Sequence, residues 1–273
     1  MYRAPWAKWF LLPVPLVILY VVVHLLAGPD SAPVVTGCIL AAKLFTLVSF
    51  VLAATRFSWG DRLFVAWWLL ALNMTLVLLK DLCSGQPFEL VGTSISLDVQ
   101  SYAIGGMLSA ANMASTVAMV LLARAWSDSG LEEVTTPSPV HRLLKLAVVP
   151  LAVLAFVVVT RDNIRHLPPD LARTIMFIVI PNVADLVCLS LIGPIALTAF
   201  SLRGGALSWP WALLALGNTF WLLWDLATSL SHLSGVVVEV VRLLALGYTG
   251  SAGLEQWWCL RHTSAPETET RLA

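Results

Sequence analysis

The chain has 273 residues, 59% of them hydrophobic and 12% charged, with a formal net charge of zero and a mean hydropathy of +0.85. A composition this apolar excludes a soluble domain, and the charge balance excludes both the basic footprint of a nucleic-acid-binding protein and the polybasic patch that holds a protein on anionic lipid. The expectation is an all-α integral membrane protein in the cell (inner) membrane, since lipid tolerates only backbone whose polar groups pair internally and no alternating ten-residue strands mark a barrel.

With about 20 apolar residues as one span, eight are predicted, near 9–27, 34–54, 62–82, 102–124, 143–160, 174–199, 209–231 and 236–260. The first follows Arg3 and Lys8 as a signal peptide would, yet its apolar stretch is too long for a signal core, so it is expected to remain as a helix. The fifth carries Lys145 and Pro150 and is the shortest. Between the fourth and fifth lies a polar, acidic, proline-containing stretch, Ser127 to Pro139, and the tail after His262 has a disordered composition. Arg3, Lys8, Arg56, Arg62, Arg124, Arg142, Lys145, Arg203, Arg261 and Arg271 fall on one side of the spans. Arg161, Arg165 and Arg173, with Lys80 and Arg242, fall on the other, which predicts both termini cytoplasmic.

The segment Trp67–Cys83 recurs as Trp211–Ala227, 144 residues later, with ten of seventeen positions identical. This predicts two tandem four-helix repeats: residues 1–126 and 142–262, joined by a cytoplasmic linker at 127–141 and followed by a tail at 263–273. Four spans per repeat make both halves enter from one side, so the expected axis is a pseudo-two-fold along the membrane normal, and function is expected where the halves meet. Spans four and eight are rich in small residues, Gly105, Gly106 and Ser109 in one and Gly247, Gly250 and Gly253 in the other, so they are candidates for the packed centre.

Ionisable residues inside spans carry the functional expectation, because a charge in hydrocarbon costs several kcal/mol unless it is paired or wetted. Lys43 and Asp185 occupy near-equivalent positions of spans two and six, an offset of 142, roughly 14 Å deep at 1.5 Å per residue and so near the midplane. They either pair with each other, form separate local pairs, or line a path. Span six is broken at Pro181-Asn182, one turn before Asp185, and again at Gly193-Pro194; proline frees carbonyls that protein, water or a ligand must meet. Asp81 and Asp225 are the repeated carboxylates of spans three and seven and are expected nearer the outer interface. Asn73, Asn112, Asn218, Glu255 and Gln256 add polar groups; the asparagines suit helix bridging, and Glu255 suits a cytoplasmic step of a polar path. Glu239 and Arg242, three apart, are expected to pair locally. Of twelve tryptophans, most sit at span ends as interfacial anchors, while Trp221 lies deeper.

No nucleotide-binding loop, nucleophile elbow or dinucleotide fingerprint is present, and the four cysteines and five histidines lack metal or haem spacing, so neither metal nor cofactor is expected. Spans six to eight hold no lysine for a Schiff base. The leading expectation is a polytopic protein that binds or translocates a small solute, ion or proton at the interface of its repeats, with Lys43, Asp185, Asn182, Asn73, Asn218, Asp225 and Glu255 along the path. An alternative is a membrane-embedded enzyme. In composition, without a shared motif, the chain is similar to small integral-membrane terpene cyclases, which implies Asp81 or Asp225 as the acid that protonates an isoprenoid-like, lipophilic ligand and Trp221 as the aromatic that shields its cation. A third reading is a sensory or accessory subunit whose membrane charges meet a partner chain or a second copy. The lipid bilayer is the one partner common to all three.

Overall fold

The computed structural model describes residues 6–27, 32–84, 89–90, 93–94, 97–129, 139–165, 170–201, 208–229 and 234–263. Nearly all are helical: α1 (Trp6–Leu11), α2 (Pro13–Ala27), α3 (Ala32–Ala54), α4 (Arg62–Ser84), α5 (Leu97–Asp128), α6 (Pro139–Arg165), α7 (Leu171–Thr174), α8 (Ile180–Ser201), α9 (Ser208–Ser229) and α10 (Gly235–Thr263). A two-residue antiparallel ribbon, β1 (Glu89–Leu90) with β2 (Thr93–Ser94), lies between α4 and α5. Most of the linker and nearly all of the tail expected from the sequence lie outside the described residues.

Five helical stretches are long and apolar enough to cross a membrane: Val34–Ala54, Arg62–Ser84, Asp98–Asp128, Leu171–Thr198 and Gly235–Arg261. They make this a multi-pass membrane protein. Pro13–Leu26 and Leu146–Arg161 are shorter apolar helices, and α9 carries Asn218, Asp225 and four tryptophans that dilute its apolar character. The first predicted span is divided, because Pro13 has no N–H to continue α1 and instead opens α2.

The helices close a ring. α10 packs on α3, α3 on α4, α4 on α5, α5 on α8, α8 on α9, and α9 returns to α10. α2 sits outside against α10 and α3, and α6 sits outside against α8 and α9. Inside, Phe50, Trp67, Leu70, Leu122, Ile192 and Leu213 form one buried cluster, while Tyr20, Met74, Leu243 and Leu246 form a second. In lipid, apolar contacts between helices gain little from excluding water, so close backbone approach and buried hydrogen bonds hold the seams. At the α3–α10 seam, Thr46 donates to the Leu246 carbonyl at 2.9 Å as well as to Ala42 on its own helix at 2.8 Å. At the α4–α5 seam, Asn73 donates to the Ala111 carbonyl at 2.8 Å.

Between α7 and α8 the chain makes a π turn, Ile175–Val179, which periodicity alone does not reveal. Its cause is Pro181. The Ile180 N–H bonds to Ile175 five residues back, so it skips the Met176 carbonyl, and Pro181 has no N–H to offer in its place. Met176 is thereby left without a donor from its own helix, and Ser109 of α5 supplies one at 3.3 Å. Gly105, one turn earlier on α5, lets the Phe177 ring approach so closely that a Cβ there would lie 2.8 Å from it. The carbonyl freed by the break is therefore met by protein. Removing that donor with Ser109→Ala is expected to lower stability by about 1 kcal/mol, seen as a lower Tm in detergent. A Ser109→Ala protein as stable as the wild type would show that Met176 finds another donor.

Candidate functional site

The membrane charges gather into two groups rather than one path. In the first, Lys43 on α3 donates to Asp81 on α4 with its side chain only 1% exposed. Lys80 also reaches Asp81 at 2.8 Å, and Arg242 on α10 approaches it at 3.7 Å while meeting Glu239 at 3.4 Å. The Arg242 guanidinium lies 5.4 Å over the Trp224 ring, and Trp224 stands edge-on to Trp221, their centroids 5.6 Å apart. Arg242 thus does more than form the local pair that its spacing suggested: it joins α10 to α4 and α9. Counting residues put Lys43 deeper than Asp81. The long lysine stem spans that difference, running along apolar surface to bring its ammonium to the carboxylate.

In the second group, the Asp185 and Asp225 carboxyls come within hydrogen-bonding reach of each other. α8 and α9 run antiparallel, and Asp185 lies sixteen residues before the end of α8 at Ser201 while Asp225 lies seventeen after the start of α9 at Ser208, which brings both to one level. Level with each other, the two are not separated in height as counting along each helix alone suggested. Two carboxylates can only accept, so a hydrogen bond between them requires that one oxygen carry a proton. Cys188, one turn beyond Asp185, lies 3.9 Å from the Ser115 hydroxyl of α5, so this face of α8 also borders the α5 seam.

The two groups therefore carry two different pairs: Lys43 with Asp81, and Asp185 with Asp225. Lys43 and Asp185 do not pair with each other, and the local pairs account for both.

The remaining path residues lie apart from these groups. Asn182 is buried and donates to Thr160 of α6 at 3.3 Å, which ties the outer helix to α8. Asn218 bonds back to Leu214 of its own helix at 2.8 Å, and Asn73 serves the α4–α5 seam. Glu255 is fully buried; its Oε1 accepts from Cys259 at 3.3 Å and its Oε2 has no donor among the described residues. It lies thirteen residues from Arg242, roughly 20 Å along α10, and joins neither group.

Before α7, Asp170 caps the helix by accepting from the Ala172 N–H at 2.9 Å, and it also accepts from the Tyr102 hydroxyl. That hydroxyl, followed by the backbone amides, holds the Asp170 carboxyl below its usual range. Arg173 bonds to Asp98 at 2.5 Å and lies over the Tyr102 ring, clamping the start of α5 to the start of α7. All four cysteines are free thiols. Among the described residues, no three His, Cys, Asp or Glu side chains cluster to hold a metal.

Sequence reasoning picked out Asp185, Asp225, Lys43 and Asp81 one by one. It missed the partner of each, the reach of Arg242, and the bond from Ser109 to Met176. The signal available was the recurring segment, which places Asp81 and Asp225 at matching positions. No protein-family model matches the chain, and neither the curated proteins nor the solved structures give a match.

Proposed function

We propose that the chain is built of two related four-helix halves, with both termini cytoplasmic, and that it binds or translocates a proton or small cation at Asp185 and Asp225. The single observation that carries this reading is the contrast between the two equivalent pairs. In the first half a tethered ammonium, Lys43, neutralises the carboxylate, and it cannot leave. In the second half a carboxyl takes the place of the lysine, and two carboxyls within reach of each other can bond only through a proton, which can leave or be exchanged. Like-charged carboxyls in contact share a proton because both cannot ionise without large repulsion.

The ring supports the two-half reading, since α3 on α4, α4 on α5 and α10 on α3 are matched by α8 on α9, α9 on α10 and α5 on α8. The site then lies within the second half, on a helix that also forms a seam between halves, rather than between the repeats themselves. For Asp81, three surrounding cations favour ion pairing over acid catalysis.

The test is infrared spectroscopy of the purified protein together with proton flux in reconstituted vesicles. The wild type is expected to show a protonated-carboxyl stretch that disappears in both Asp185→Asn and Asp225→Asn, and to relax an imposed pH step faster than either variant. Each amide keeps the carboxyl's size and some of its hydrogen bonding, so melting in detergent should change little. An unchanged carboxyl band and unchanged flux in Asp185→Asn would overturn the assignment.

A further inference from the structure

An apolar groove of about 410 Å³ runs along the seam between α8 and α9. Leu189, Gly193 and Ala196 line it from α8, and Ala215, Thr219 and Leu222 line it from α9. Val148 and Leu151 of α6 wall its outer side, and Phe10 of α1 contributes a ring. The groove does not reach the carboxyl pair but ends beside it: Leu189 lies four residues after Asp185 and Leu222 three before Asp225, one helical turn on each helix. From that turn it extends past Ala196 and Ala215 toward the connection between the two helices.

We infer that this groove and the Asp185–Asp225 pair form one binding site for a lipophilic primary ammonium ion, with its alkyl or ring portion in the groove and its ammonium between the two carboxyls. The inference rests on the reading of the pair as an exchangeable proton site and names what exchanges with that proton. Charge complementarity selects the occupant. An apolar groove facing lipid accepts any acyl chain, but one that ends at two carboxyls favours a chain that ends in a cation. An ammonium carries three N–H donors and can donate to both carboxylates at once.

The exchange balances. As the ammonium enters, the O–H bond of the protonated carboxyl breaks and its proton leaves to water, while N–H donors of the ligand replace it. The pair holds one net negative charge before, as a carboxyl and a carboxylate, and one after, as two carboxylates and one ammonium. The net charge within the membrane is therefore unchanged by the exchange. In the first group a tethered ammonium, that of Lys43, likewise meets a membrane carboxylate, there a single one.

The experiment uses the full chain in nanodiscs of zwitterionic lipid and three probes with one tail: octylammonium, octanol and octyl sulfate. Calorimetry should give octylammonium roughly tenfold tighter binding than either of the others, and an indicator dye in weak buffer should record about one proton released for each molecule bound. Asp185→Asn should abolish both the preference and the release, and Ala215→Phe, which fills the groove, should weaken octylammonium binding roughly tenfold. Wild-type protein that binds the three probes alike, with no proton release, would mark the groove as an acyl-chain site only and overturn the inference, even with the carboxyl band intact. Loss of the proton-site reading would show separately, as absence of that band from the ligand-free protein.

Discussion

Replacing Asp81 with leucine should destabilise the protein more than replacing its partner Lys43 with methionine. The asymmetry comes from what each change leaves behind. Lys43 is 1% exposed, and Asp81 is its one carboxylate contact among the described residues, so Asp81→Leu strands a buried ammonium. Asp81 is one-third exposed and also has Lys80 at 2.8 Å and Arg242 at 3.7 Å, so Lys43→Met leaves it with two cations. Breaking a buried pair from one side costs about 3–5 kcal/mol, and partial screening of Asp81 by solvent places Asp81→Leu toward the lower end of that range. The Lys43→Met/Asp81→Leu double variant should recover most of the loss, because the buried ammonium is gone, while Lys80 and Arg242 are more exposed and Arg242 keeps Glu239. Unfolding in mixed micelles measures all three proteins. A Lys43→Met cost equal to or above that of Asp81→Leu would mean that Lys80 and Arg242 do not support the carboxylate.

The second large effect is expected at Gly253, where α10 crosses α3. A Cβ there would lie 2.8 Å from the Ser49 carbonyl oxygen and 2.9 Å from its carbon, and backbone cannot move aside as a side-chain tip does. Gly253→Leu must separate the two helices, stretching the Thr46 to Leu246 hydrogen bond one turn and more away. Forced overpacking costs about 1–3 kcal/mol, and a leucine against backbone belongs at or above the top of that range. Gly106 on α5 provides the contrast. It also lies in a small-residue stretch, yet nothing lies within 4 Å of its added Cβ, so Gly106→Ala should be neutral or stabilise by up to about 1 kcal/mol through helix propensity. Equal behaviour of the two variants in thermal melts would contradict the close approach at Gly253.

These two glycines also mark how far the sequence reaches. Both belong to small-residue stripes, but α5 and α10 do not pack together as a centre; the stripe on α10 faces the α3 seam instead. Which glycine touches a neighbour depends on where the neighbouring helix lies, and no local pattern encodes that. The same limit applies to Arg242. Its spacing from Glu239 displays one partner, while its approach to Asp81 and its place over Trp224 arise only because α10 packs between α3 and α9.

What the sequence determined by itself is the membrane class, the positions of the apolar helices and the identity of the costly charges, because lipid makes hydropathy and intramembrane charge the dominant energies and both are written residue by residue. It also displayed the recurring segment that carries Asp81 and Asp225 at matching positions. The tertiary structure decided the pairing: Lys43 with Asp81, and Asp185 with Asp225. Depth counted from helix ends ignores the reach of a lysine stem, the extra residue of the π turn before Pro181 and the relative heights of antiparallel neighbours, and these set which carboxyl meets which charge.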